Sequence, residues 1–216
     1  MFYSFARGLI RILVWLFNGN THYENREAIP DGPYVLVGPH RTWWDPIIFA
    51  LAASPRKFAF MAKAETFHNP IIRWIISHAN GFPVDRAHPG PSAIKTPVKI
   101  LRKGDLSLIM FPTGSRYSSE MKGGATMIAK MAKVPLVPAV YQGPLKFGQI
   151  FLRKRMTVRF GAPIEVPAGK LNDDLFKQVN QLMEDAFTQL DYEIDPNFKY
   201  VPDTHKYEEE KSSGKV

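Results

Sequence analysis

A histidine and an aspartate stand five positions apart in Gly38-Pro39-His40-Arg41-Thr42-Trp43-Trp44-Asp45-Pro46, directly after the apolar run Tyr34-Val35-Leu36-Val37. A histidine oriented by a carboxylate can take a proton from an alcohol near neutral pH. The pair lies beyond the carboxyl end of a strand-like run, where α/β proteins place reacting groups. The chain has no cysteine, which excludes thiol catalysis, disulfides and Cys-based zinc sites. If the pair is catalytic, the attacking group is a hydroxyl on the substrate. On one continuous helix five positions put two side chains roughly 140° apart, so His40 and Asp45 meet only if the residues between them turn back. Asp45-Pro46 supplies a break, because Asp is a good N-cap and Pro suits the first helical position. The same residues also fit a plainer reading, in which Asp45 only caps its helix and His40 is an ordinary loop histidine.

Three further stretches carry chemistry. Phe111-Pro112-Thr113-Gly114-Ser115-Arg116 follows the apolar run Ser107-Leu108-Ile109-Met110. Its Gly-Ser-Arg turn can offer backbone N–H groups, a hydroxyl and a guanidinium fork to one oxyanion, a set that suits phosphate; it also fits a polar turn after a buried strand. Gly81-Phe82-Pro83-Val84-Asp85-Arg86 sets a second arginine at another strand end, or else a surface Asp–Arg pair worth about 0–1 kcal/mol. Val134-Pro135-Leu136-Val137-Pro138-Ala139-Val140 is an apolar strand with two prolines. Proline avoids central strand positions, so this strand should begin at an edge or a bulge.

The elements that must position these stretches alternate. Strand-like runs cover 34–37, 57–62, 81–85, 107–111, 136–141 and 156–160, and helix-like runs cover 46–53, 64–78, 91–103, 122–133 and 173–190. Strands spaced by helices imply βα crossovers and an α/β fold with a mixed, mainly parallel sheet flanked by helices. A polar linker is expected over 18–33. The 216 residues suit one domain with a core, and an apolar content of 45% argues against disorder.

The first segment, Phe2 to Phe17, is aromatic and aliphatic with Arg7 and Arg11 one helical turn apart. With Ser4, Gly8 and Asn18 they form one narrow polar face. The run is shorter than the about 20 apolar residues a spanning helix needs. It reads as an amphipathic helix in the membrane interface, Arg7 and Arg11 reaching anionic headgroups and Trp15 among the apolar side chains; the plainer reading of the same run is a core helix of the domain. The division is then 1–18 interfacial helix, 19–194 α/β domain, and 195–216 mobile charged tail. Residues 1–160 hold 22 Lys/Arg against 8 Asp/Glu, whereas residues 161–216 hold 6 against 12. A basic front suits phosphates on nucleic acid, anionic lipid or a small substrate. The basic residues show no recognition-helix or RNP-like pattern, which argues against nucleic acid.

In order and spacing the four stretches resemble the glycerolipid acyltransferases, specifically the bacterial 1-acyl-glycerol-3-phosphate acyltransferases. That family carries an HxxxxD block, a block ending in Arg near a second strand, an FPEGTR-like block and a VPxxP-like block. Here they stand as His40–Asp45, Gly81–Arg86, Phe111–Arg116 and Val134–Pro138. Met61-Ala62-Lys63-Ala64-Glu65 and Lys122-Gly123-Gly124-Ala125 are similar to further family stretches, and the resemblance covers about residues 20–165. Thr113 stands where the family usually has Glu, a departure that bears on the acceptor more than on acyl transfer.

The resemblance implies transfer of a fatty acyl group from a thioester, on acyl-carrier protein or CoA, to the sn-2 hydroxyl of lysophosphatidic acid. It implies His40 as general base, Asp45 as its orienter, and backbone N–H groups at the start of the Pro46 helix as oxyanion donors. Gly114, Ser115 and Arg116 would bind the acceptor phosphate, with Arg86, Lys63 and Thr113 contributing. Val134, Pro135 and Pro138 would belong to the acyl-chain and donor region. The implied enzyme needs no cofactor or metal and lies peripherally on the cytoplasmic face of the cell membrane. An acyltransferase for another lysophospholipid or for glycerol 3-phosphate fits the same residues, as does a non-catalytic membrane-surface binder of the same fold.

Overall fold

Strand-forming stretches rich in Val, Ile, Leu and Phe lead the chain into one mixed sheet. A computed structural model describes residues 2–85, 90–118 and 120–201. Its strands are β1 (Thr21–Glu24), β2 (Val35–Val37), β3 (Phe58–Lys63), β4 (Gly81–Val84), β5 (Ser107–Met110), β6 (Leu136–Gln142) and β7 (Met156–Phe160). The helices are α1 (Phe2–Phe17), α2 (Asp45–Ala52), α3 (Pro70–His78), α4 (Ser92–Lys103), α5 (Gly124–Ala132) and α6 (Asp173–Ile194). The sheet order is β1-β7-β6-β2-β5-β3-β4. All pairs are parallel except β6–β7.

Alternation sends successive side chains to opposite faces. Val35 and Val37 join Leu108, Leu136 and Val140 beneath α4, α5 and α6. Tyr34 and Leu36 join Phe58, Ile109 and Tyr141 beneath α2, with Ile10 and Val14 of α1 packed at the margin. Both faces are covered, which is why the inner strands read as continuous apolar runs.

Four expectations need correction. The linker over 18–33 contains β1, an edge strand paired with β7, and a short 3-10 helix at Arg26–Ala28. The helix expected over 64–78 is two pieces: a 3-10 turn, Ala64–His68, and α3. Asn69 caps α3 by accepting from the N–H groups of Ile71 (3.0 Å) and Ile72 (3.1 Å), and Pro70 opens it. A further 3-10 helix, Phe147–Leu152, stands where no element was expected. Fourth, α1 turns Arg7 toward the body, where it donates to the carbonyls of Pro55 (3.0 Å) and Arg56 (2.8 Å). At the start of the expected tail, Phe198 and Tyr200 contact Arg41 and the Arg116 carbonyl; residues 202–216 lie outside the described part.

Of the two prolines, Pro135 precedes β6, and Pro138 lies at a bulge within the strand and not at its start. Ala139 pairs with Phe160 and Leu136 with Ile164, so three steps along β6 face four on its partner. Pro138 sits at this slip, its carbonyl accepting from Gly161 N (2.8 Å).

Candidate active site

Because β2, β5 and β6 run parallel, the segments leaving their carboxyl ends emerge at one edge. The segment after β2 turns tightly at Gly38, where a Cβ would lie 2.5 Å from the Ala139 carbonyl oxygen and 2.9 Å from Phe49. Only glycine fits this approach. Beyond it, His40 Nδ1 stands 3.1 Å from Asp45 Oδ2.

The Asp45 side chain, 0% exposed, turns back rather than capping its helix. It accepts from Arg41 N (2.6 Å), Thr42 N (2.7 Å) and the Thr42 hydroxyl, and makes no cap hydrogen bond within α2. The helix-cap reading of Asp45 is thereby set aside. An acceptor-only carboxylate requires the hydrogen on Nδ1, which leaves Nε2 of His40 as the free acceptor. The imidazole also stacks on Phe111, with centroids 4.1 Å apart and planes at 16°; Phe111 in turn stacks toward Phe49. Contacts of this kind are worth about 0.5–1.5 kcal/mol and fix ring orientation.

The turn after β5 is bonded to itself. Gly114 takes a left-handed φ of 67° and its N–H donates to Phe111 O (2.9 Å). The Thr113 hydroxyl donates to Ser115 O (2.8 Å), and Ser115 Oγ accepts from Tyr117 N (3.2 Å). Lys122 lies against this turn, its Nζ 3.6 Å from where a Cβ on Gly114 would be. Arg116 and Lys122 thus bring two cationic side chains to one glycine-containing turn.

Other expected residues fall elsewhere. Arg86 lies outside the described residues. Lys63 ends β3 beside Val84 of β4 and stands 3.5 Å from Glu65. Val134 and Pro135 precede β6 at the edge opposite His40, with Val134 buried in the core and Pro135 O accepting from Val35 N. Pro138 pairs with Val37. The expected oxyanion donors at the start of the Pro46 helix are already engaged: Asp45 N bonds Thr42 O, and Ile47 N and Ile48 N bond Trp44 O. Phe111 and Lys122 reach the candidate site without having been expected there; each opens one of the family-like stretches, a positional signal with no role attached. Arg11 and Trp15 are exposed on α1. Among the described residues, no cluster of His, Cys, Asp and Glu is arranged to hold a metal ion, and no helix is long and apolar enough to cross a membrane.

An acyltransferase family model matches residues 20–142. The chain is 48% identical over 196 residues to the 1-acyl-sn-glycerol-3-phosphate acyltransferase of Streptococcus pneumoniae, covering 89% of this chain and 74% of that protein. It is 35% identical over 198 residues to the protein of the same name from Bacillus subtilis, covering 88% and 98%. The crystal structure of PlsC, the 1-acyl-sn-glycerophosphate (LPA) acyltransferase of Thermotoga maritima, superposes with a TM-score of 0.61 at 22% identity over 91% of this chain and 84% of that one. At that identity the likeness speaks for the fold.

Proposed function

The chain belongs to the acyltransferase family, and from that premise we propose how its geometry carries out the acylation of lysophosphatidic acid to phosphatidic acid. The observation that carries the reading is the His40–Asp45 pair: Nδ1 is tied to a buried carboxylate at 3.1 Å, and Nε2 is left as acceptor. Nε2 removes the proton of the sn-2 hydroxyl as that oxygen bonds to the thioester carbonyl carbon. The tetrahedral adduct collapses, the C–S bond breaks, and the imidazolium returns its proton to the departing thiolate. Asp45 holds the tautomer and steadies the imidazolium, as the aspartate of a Ser-His-Asp triad does, with the nucleophile supplied by the substrate. Arg116 and Lys122, beside Gly114, take the acceptor phosphate.

The donor is an acyl thioester, on acyl-carrier protein or CoA. The enzyme docks peripherally on anionic lipid at the cytoplasmic face. Support for docking comes from the outward side of α1, where Phe5, Leu9, Ile12, Trp15 and Leu16 are exposed, and from α3, where Ile71, Ile72, Trp74 and Ile75 are exposed. Phe2 packs on Trp74 at 5.2 Å and joins the two helices. Neither helix contains an acidic residue.

The test is acyl transfer to lysophosphatidate by the purified full chain, with acyl-carrier-protein and CoA thioesters side by side. His40→Ala is expected to abolish turnover while circular dichroism and Tm stay those of the parent. Near-normal turnover in that variant sinks the mechanism.

A further inference from the structure

The residue after the catalytic histidine is clamped from the far end of the chain. Arg41 has a side chain only 5% exposed. Its Nη1 donates to Tyr141 O (2.7 Å) and to Asp191 Oδ1 (2.9 Å), and its Nη2 to Asp191 Oδ2. Asp191 lies in the last turn of α6 and is itself held by Gln142 Nε2, at 3.0 Å to Oδ1 and 2.8 Å to its carbonyl. The chain then folds back. Asp195 O accepts from Phe198 N (3.0 Å) and Asp195 Oδ1 from Asn197 N (2.9 Å), bringing the Phe198 and Tyr200 rings to 4.8 and 5.5 Å from the Arg41 guanidinium carbon. The Tyr200 hydroxyl donates to Arg116 O (3.3 Å). Burial raises the Tyr200 phenol above its usual range, so it stays a donor at neutral pH.

We propose that Asp191 is a positioning residue for acyl transfer, and that residues 195–200 form a strap joining the histidine loop to the phosphate turn. The proposal rests on the reading of His40 as base and Arg116 as phosphate ligand. The link to chemistry is short. Arg41 N donates to Asp45 Oδ2 at 2.6 Å, the same oxygen that holds His40 Nδ1. A bidentate fork fixes the plane of the Arg41 guanidinium as well as its distance, and through the backbone it fixes the amide that Asp45 uses. At the other end, Tyr200 holds the carbonyl of Arg116. The strap thereby sets the span between the base and the phosphate cation, and misplacing such a span by 1 Å is enough to cost about a hundredfold in rate.

Steady-state kinetics on the full chain, varying lysophosphatidate at saturating donor, test this with His40→Ala measured beside each variant. Asp191→Ala is expected to lower kcat tenfold or more with the acceptor KM within about threefold of the parent. Asp191→Asn, which preserves shape, is expected to lose only a few-fold, and it serves as the reading if the alanine variant does not fold. Phe198→Ala/Tyr200→Ala is expected to raise the acceptor KM several-fold. Parent kcat in Asp191→Ala and Asp191→Asn, with His40→Ala inactive, overturns the positioning role alone, even if Tm falls. A parent KM in the strap double variant overturns the strap. Retained turnover in His40→Ala overturns the reading of the pair and this proposal with it.

Discussion

Thr113 stands where the resembled family has glutamate, and its hydroxyl is engaged inside the turn on Ser115 O. It orders the loop without adding negative charge, so at the proposed phosphate site no carboxylate from position 113 competes for Arg116 and Lys122. The consequence is measurable. A hydrogen bond to a charged group contributes about 1.5–3 kcal/mol, so Arg116→Ala is expected to raise the lysophosphatidate KM about ten- to a hundredfold while kcat changes far less. An unchanged KM moves the phosphate away from this turn. The His40–Asp45 contact was legible in the sequence because a histidine and a carboxylate astride a turn after an apolar run have few other uses. The partners that hold the pair were not. Nothing in the spacing indicates that Phe111 stacks on His40, or that Arg41 reaches across 150 positions to Asp191, because packing partners are set by topology and not by local pattern.

The elements divide in the same way. The strands buried on both faces, β2, β5 and β6, announced themselves as apolar runs between turn residues, and β7 matched its expected bounds of 156–160. β1 did not, since an edge strand of sequence Thr-His-Tyr-Glu has only one neighbour and no apolar pattern. The long helix expected over 64–78 failed at Asn69-Pro70, where a capping side chain and a ring without N–H stop one helix and start another. The polar stripe of α1 was legible, but its division was not: Arg7 turns to the body with Tyr3, Ile10 and Val14, while Ser4, Gly8 and Arg11 stay exposed beside the outward apolar side chains. Tyr3 is buried there, with its hydroxyl accepting from Phe58 N, so deleting residues 1–18 would expose core as well as remove a docking face. Substitutions on the outward side separate the two effects. Ile12 and Leu16 are 61% and 52% exposed, so Ile12→Glu/Leu16→Glu is expected to leave Tm within a few degrees of the parent. Burying each of these side chains in lipid is worth about 1.5–3 kcal/mol, and the double variant is expected to lose at least tenfold in partition onto anionic vesicles by co-sedimentation. Parent-like partition would mean that α1 is not the docking helix.

At the scale of the whole molecule, basic charge and exposed apolar surface coincide on α1 and α3. α1 and α2 cover one face of the sheet and α6 lies on the other. α6 carries Asp173, Asp174, Glu184, Asp185, Asp191 and Glu193 against the single Lys177, while α1 and α3 carry Arg7, Arg11 and Arg73 and no acid. Glu193 is further tied to Arg159, which also pairs with Glu24 across β7 and β1. The acidic α6 shares its face of the sheet with the basic α4, which carries Lys95, Lys99, Arg102 and Lys103, so the charge that bears on the proposed docking is local to α1 and α3. Two forces then act, and salt separates them. Screening shortens from about 10 Å at 0.1 M to about 3 Å at 1 M ionic strength, which removes the contribution of roughly 1 kcal/mol per basic residue near an anionic surface. Burial of apolar side chains does not weaken under the same change. Partition onto anionic vesicles is thus expected to fall as NaCl rises from 0.1 to 1 M, levelling at the value found on zwitterionic vesicles, while partition onto the zwitterionic vesicles stays constant. A flat salt response on anionic vesicles would show that attraction to the bilayer is apolar alone, and that the basic residues of α1 and α3 have no part in docking.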